Sequence, residues 1–324
     1  MRSDPLRVIE AAYDDVANER VWLQAITDAA QPLLDDGLGL YANVYTLPRN
    51  GRPPKRSPFA TAGEMIDAER RQRAIDRGAP REIIASAFSQ CQVGTISEYH
   101  AYAGDEPAAA VRDQLVPYGA SDCIGLVTVD PNGRGIAISV MLKKPRIVTP
   151  SFRERWSRIM AHVGAGLRLR GGFADEEAVL DGSGKLLDAT SFAKEPEARA
   201  ALRFAARAID RARARRRSDP DDALAQWRAL TSGRWSLVDR FESDGRHFLV
   251  ARANPPLPRE TVPKLTPREA CAVALAARGR SNKMIAYELG LSIGTIGTLL
   301  SRAAKKLNVR SRAMLVIEWN SRSA

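Results

Sequence analysis

A chain of 324 residues that is 44% hydrophobic has the length for two or three domains, each with its own core. No apolar run approaches the roughly eighteen residues of a membrane helix, and MRSDPLRVIEAAYDD at the start lacks the apolar centre of a signal peptide, so a cytoplasmic protein without membrane contact is expected. The formal charge of +11 favours an anionic partner, and three cysteines (Cys91, Cys123, Cys271) without CxxC spacing suggest neither a disulfide framework nor a zinc site.

In chain order, Leu6, Ile9, Ala12, Tyr13 and Val16, and then Trp22, Leu23, Ile26 and Leu33, predict two helices between residues 5 and 34. Gly37 and Gly39 introduce the alternating run Leu40, Ala42, Val44, Tyr45 and Leu47, which predicts a strand. The Pro- and Arg-rich stretch from Asn50 to Pro58 reads as a loop, and residues 64–76 and 80–90 as helices. Two β-rich runs, Ile124 to Val129 and Gly135 to Leu142, flank Pro131, Asn132 and Gly133 and predict an antiparallel hairpin. From Pro150, a helix carries Phe152, Trp156, Ile159, Met160, Val163 and Leu167. These elements predict an α+β domain over residues 1–172, with helices packed on an antiparallel sheet.

Gly171 and Gly172 open a second, smaller α+β unit over residues 173–254. Ala178 to Leu180 and Lys185 to Ala189 bracket Asp181, Gly182, Ser183 and Gly184, a hairpin signal. Helices follow from about Glu197 to Arg217 and from Ala223 to Leu230, and a second hairpin pairs Trp235 to Phe241 with Phe248 to Arg252. The run Arg211, Arg213, Arg215, Arg216 and Arg217 suits a solvated helix face, a DNA backbone or acidic residues of a partner. Residues 255–263, rich in proline, form a linker.

Residues 264–324 carry three short helical patterns and a fourth, separated by tight turns. Thr266, Pro267, Arg268 and Glu269 supply an N-cap hydroxyl, a proline at the first helical position and a capping-box glutamate. Arg278 and Gly279 end that helix; Ser281 caps the next, with Met284 where the capping-box acid would stand, and Gly290 ends it. Ser292 caps a third helix with the stripe Ile296, Leu300, Ala303 and Leu307, its other face showing Gly297, Thr298, Ser301, Arg302 and Lys305. Ser311 caps a fourth helix with Met314, Leu315 and Ile317. Such tight spacing is helix-turn-helix grammar. Residues 259–324 hold twelve Lys or Arg and four Asp or Glu, so most of the excess charge lies here, as phosphate neutralisation requires.

This stretch closely resembles the LuxR-type helix-turn-helix domain of bacterial transcription regulators. The resemblance rests on LTPRE at 265–269, Gly279, SNK with Ile285 and Ala286, Leu289 to Ser292, Thr295 with Ile296, and KLNVRSR at 306–312. It implies that the third helix enters the major groove of double-stranded DNA, that the second helix and the helix termini touch phosphates, and that the fourth helix dimerises. The backbone contacts so implied are Ser281, Asn282, Lys283, Thr295, Arg302 and Lys305, and the base contacts Gly294, Gly297, Thr298 and Ser301. The family usually has lysine where this chain has Gly297 and histidine where it has Leu299, which weakens or redirects base readout.

The element order of residues 1–172 resembles a GAF-like sensor domain, and the hairpins of 173–254 resemble a reduced PAS-like module. The resulting fold class is a multidomain chain, with an α+β sensor region ahead of an all-α four-helix DNA-binding domain. The resemblance implies a one-component regulator acting as a homodimer, with a small-molecule ligand or partner at its front domain and RNA polymerase as a further partner. The rival reading is a protein-interaction adaptor or anti-activator with a degenerate helix-turn-helix, Leu299 joining an apolar contact surface. Scattered His100, His162 and His247, and the lack of a Walker loop, GxSxG elbow or HExxH, point away from an enzyme and from a cofactor or metal. The front-domain aromatics Trp22, Tyr41, Tyr45, Phe88, Tyr99, Tyr102, Tyr118 and Trp156 build a core or line a ligand pocket.

Overall fold

The computed structural model describes residues 4–14, 18–48, 54–64, 87–98, 113, 115–130, 133–170, 176–190, 192–215, 219–227, 230–231, 235–241, 247–253 and 265–323. The chain divides into two compact units, Met1–Ala11 with Asp15–Gly164, and Ala12–Asp14 with Ala165–Ala324.

The first unit is built on an antiparallel sheet of β1 (Leu40–Thr46), β2 (Lys55–Ala62), β3 (Gln92–Thr95), β4 (Asp122–Val129) and β5 (Arg134–Leu142), in the order β2-β1-β5-β4-β3. The predicted β4–β5 hairpin forms in register from Asp122↔Leu142 to Val129↔Gly135, and Gly133 supplies the left-handed residue of its turn at φ 82°. Helix α1 (Leu6–Tyr13) is followed by α2 (Glu19–Leu34), whose first turn is capped by Asn18 Oδ1 accepting from the Arg20 and Val21 amides. The buried stripe of α2 is Trp22, Leu23, Ile26, Ala30 and Leu34, so the helical period selects Leu34 rather than Leu33, and α2 packs on β1 and β2. α3 (Pro150–Arg170) buries the predicted Trp156, Ile159, Met160, Val163 and Leu167.

One expectation for this sheet needs correction. The stretch Asn50 to Pro58 is not a loop throughout: Lys55–Ala62 is a strand, and Pro58 is tolerated because β2 lies at the sheet edge. β1 forms as expected, and its first six residues are all buried, which means that both faces of the sheet are covered there. Strand β3 has no counterpart among the predicted elements. The helices expected at 64–76 and 80–90 fall outside the described residues, apart from residue 64, a bend, and a short helical turn at 87–89 followed by a bend at residue 90.

The second unit holds another five-stranded antiparallel sheet, formed by β6 (Glu176–Asp181), β7 (Leu186–Ala189), β8 (Leu230–Thr231), β9 (Trp235–Phe241) and β10 (His247–Ala253) in the order β7-β6-β10-β9-β8. Both predicted hairpin pairings form. At the first, Asp181 Oδ1 accepts from the Ser183 and Lys185 amides, both at 2.9 Å, and Gly184 adopts φ 82°. α4 (Pro196–Arg215) buries Leu202, Ala205, Ala206, Ile209 and Ala212. The helix expected from Ala223 to Leu230 is displaced: α5 spans Pro220–Gln226, because Asp219 caps it with Pro220 at its first position, and Leu230 belongs to β8. Four helices end the chain: α6 (Pro267–Ala277), α7 (Asn282–Leu289), α8 (Ile293–Lys306) and α9 (Arg312–Ser323). No single helix among the described residues is long and apolar enough to cross a membrane.

Candidate nucleic-acid interface

Local chemistry sets each helix boundary. Thr266 Oγ1 accepts from the Glu269 amide at 3.3 Å while Glu269 Oε2 accepts from the Thr266 amide at 2.8 Å, closing a full capping box. Ser281 Oγ accepts from the Met284 amide at 3.2 Å and Ser292 Oγ from the Thr295 amide at 3.0 Å, so both caps form without a capping-box acid. Gly290 stands at φ 61°, and Asn308 takes the left-handed position beyond α8 at φ 56°. Only Gly290, Leu291 and Ser292 separate α7 from α8, and the chain turns through 108° between them. That angle lies within the range of a helix-turn-helix.

The angle is held from inside. Val273, Leu275, Ile285, Leu289, Ile296, Leu300, Ala303, Leu307, Leu315 and Trp319 form one buried cluster drawn from all four helices. Leu299 is part of that cluster, 9% exposed. It therefore does not join an apolar contact surface, as the adaptor reading expected. Position 299 widens the 296–300–303–307 stripe on its core side, as a helix packed against several neighbours requires.

Polar bonds reinforce this core. Buried Arg280 and Glu288 form an ion pair, and the Arg312 guanidinium donates to Asn282 Oδ1 and to the Arg280 carbonyl. Glu269, 3% exposed, also accepts from Lys306 Nζ at 2.7 Å, joining the start of α6 to the end of α8. Burial alone would raise its pKa, but the bonds from Lys306 and Thr266 outweigh that and hold the carboxyl below the usual glutamate value. Lys306 is exposed beside Lys305, but its charge is thus used within the fold.

All ten residues proposed from sequence lie at the surface. Ser281, Lys283, Gly294, Thr295, Thr298, Ser301, Arg302 and Lys305 are exposed, and Asn282 and Gly297 are partly so. Gly294, Thr298, Ser301, Arg302 and Lys305 share one face of α8 by their spacing, while Ser281, Asn282 and Lys283 begin α7. Thr298 Oγ1 donates to the Gly294 carbonyl at 3.0 Å, and a Cβ built on Gly297 meets no atom of the described residues within 4 Å. The α8 surface there is open.

Sequence reasoning passed over two residues. Arg268 lines a groove between the start of α6 and α8, together with Thr266, Thr295, Thr298 and Arg302, so two cations converge beside the α8 face. Its place in the first turn of α6 masked this, since an arginine there reads only as a helix-surface residue. Tyr287 on α7 puts its hydroxyl 3.5 Å from the Leu224 and Trp227 carbonyls, a contact no local pattern reveals. Among the described residues, no group of three His, Cys, Asp or Glu is arranged to hold a metal.

An apolar trihelical core, a 108° turn and a basic, open third-helix face together suit the major groove of a duplex. Residues 263–318 match the family model GerE, described as bacterial regulatory proteins, luxR family. No curated protein matches the chain. Among solved structures, SdiA in complex with octanoyl-rac-glycerol is similar at 11% identity and a TM-score of 0.35, over 98% of this chain and 92% of that one. Escherichia coli SdiA in space group P6522 is similar at 13% identity and a TM-score of 0.32, over 98% of this chain and 94% of that one. Superposition at that level defines no common fold for the whole chain. The family match and the helix-turn-helix geometry agree on the same segment, and residues 263–318 are a DNA-binding domain of the luxR family of bacterial regulatory proteins.

Proposed function

We propose that this chain is a cytoplasmic, non-enzymatic one-component transcription regulator that binds double-stranded DNA as a homodimer and responds to a small molecule or partner at its front domain. The observation that carries the reading is the α8 face, where Gly294, Thr298, Ser301, Arg302 and Lys305 are all exposed on a helix whose opposite side is locked into the core. Ser281, Asn282, Lys283, Thr295, Arg302 and Lys305, joined by Arg268, neutralise or hydrogen-bond phosphates. Gly294, Gly297, Thr298 and Ser301 approach base edges.

Dimerisation through α9 is supported by Met314 and Ile317, which are 50% and 67% exposed. One short recognition helix covers too little of an operator for high specificity, and paired half-sites multiply discrimination. The front sheet, covered on both faces, serves as a GAF-like sensor, and the second sheet as a reduced PAS-like module between sensor and DNA-binding domain. RNA polymerase is the protein partner such a regulator addresses. Recovering the genomic fragments bound by the full chain tests the reading: enrichment of a shared sequence with two-fold symmetry is expected, and fragments with no shared sequence would contradict it.

A further inference from the structure

Helix α4 holds six arginines against two carboxylates, Glu197 and Asp210. Four of them, Arg199, Arg203, Arg207 and Arg211, recur at every fourth residue, and all four are exposed. At a rise of about 1.5 Å per residue the row spaces its stems about 6 Å apart along the helix axis. A solvated helix surface usually sets opposite charges at this spacing, because like charges four residues apart repel and destabilise the helix. Here three like pairs follow one another, and among the described residues none of the four arginines forms an ion pair, with Glu197, Asp210 or any other carboxylate. The fold of α4 leaves that repulsion unrelieved.

The row is also held in place. Arg207 Nε donates to the Ser183 carbonyl at 3.0 Å, and a Cβ built on Gly184 would stand 2.9 Å from the Arg203 carbonyl oxygen, so the β6–β7 turn lies directly against α4. Apolar surface accompanies the charge. Phe204, 61% exposed, is three residues from Arg207 and therefore its neighbour on the helix surface. Phe192, 55% exposed, belongs to the helical turn Phe192–Lys194, which packs against α4 and β7. Arginine interleaved with aromatic side chains is the composition of a protein-binding surface. A DNA backbone would neutralise the arginines but would leave both phenylalanines without an apolar partner.

We propose that the exposed face of α4 binds an acidic, amphipathic segment of a protein partner. Carboxylates repeating about every 6 Å meet the arginine row, and an apolar side chain of the same segment covers Phe204. Each guanidinium can take a carboxylate through two parallel hydrogen bonds, which fixes the register of the segment as well as its charge. The proposal goes beyond the DNA reading and does not depend on it, since α8 is a separate helix with its own exposed cations.

Fluorescence anisotropy of the full chain, without DNA, tests this with a labelled helical peptide carrying glutamate at every fourth position and leucine beside each glutamate. The comparison is the same peptide with glutamine for glutamate. The glutamate peptide should bind saturably and about tenfold more tightly, the factor expected of several exposed ion pairs together. Arg199→Gln, Arg203→Gln and Arg211→Gln combined should erase that preference, Arg207 being kept because it anchors Ser183. Phe204→Ser should weaken peptide binding about fivefold and leave DNA affinity unchanged. Circular dichroism confirms that each variant is folded. Absence of saturable binding of the glutamate peptide to the wild-type chain would overturn the proposal, as would an unchanged preference in the triple variant. A shallower salt dependence of DNA affinity in the triple variant, with peptide binding untouched by Phe204→Ser, would assign the row to phosphates and overturn it too. Should the triple variant fail to fold, a folded Phe204→Ser that binds the peptide like the wild type overturns it equally. A chain that binds the peptide but no DNA contradicts the regulator reading alone.

Discussion

Replacing Gly297 separates what this residue does to the recognition helix from what it does to DNA. Gly297 lies inside α8 without a left-handed φ, and a Cβ there meets no atom of the described residues within 4 Å, so alanine fits without displacing any of them. Gly297→Ala should then recover the helix-propensity difference, about 0.8–1 kcal/mol in favour of the folded helix. Amide exchange across α8 should slow by about four- to fivefold where it proceeds through local opening. Gly297→Lys should keep most of that gain and add a cation to the open face, steepening the dependence of log affinity on log salt by about 0.9 per chain relative to Gly297→Ala. Unchanged or faster exchange in Gly297→Ala would show that α8 is not a continuous helix with open space at 297. A salt slope equal in the Lys and Ala variants would show that position 297 does not face the duplex.

Two further outcomes follow from the core of the DNA-binding domain. Leu299→Ala should destabilise it by about 2–5 kcal/mol, since a buried leucine side chain is truncated; a chemical denaturation midpoint equal to that of the wild type would return Leu299 to the surface. Glu269→Gln should cost about 1.5–3 kcal/mol at pH 7 by removing a charge-assisted bond to Lys306. Because the Glu269 pKa is lowered in the folded state, the contribution is present above the unfolded glutamate value, near ~4.3, and is lost as pH falls through the lower folded value. Denaturation of wild type and variant should therefore converge at acidic pH, and an equal gap at pH 3 and pH 7 would contradict the assignment.

The parts of the fold legible in the sequence are those set by local chemistry. Thr266, Ser281 and Ser292 each cap the helix they announce, and Gly290 ends α7 in the left-handed region, because caps and turns depend on a few adjacent residues. The ten surface residues of the helix-turn-helix are equally legible, since a 3.6-residue period separates a buried stripe from its opposite face. What escapes depends on neighbours distant in the chain. Pro58 argues against a strand, and only the edge position of β2 admits it. Gln92–Thr95 holds too few β-formers to announce β3, which exists by pairing with β4. Leu299 departs from the usual histidine at a position whose burial is decided by α6 and α9 packing around α8, and Asn43 looks like any polar residue in a strand until both faces of that strand are covered.

The most direct test of the central claim is a salt titration of DNA binding with the full chain and with Arg302→Ala, whose exposed side chain has no part in the helix-turn-helix core. The account predicts salt-sensitive retention of genomic fragments by the wild type. It also predicts a slope of log affinity against log salt that is shallower in Arg302→Ala by about 0.9 for each phosphate left without its arginine, or about 1.8 for a dimer. No retention by the wild type at low salt, or identical slopes for the two proteins, would contradict the placement of α8 against DNA.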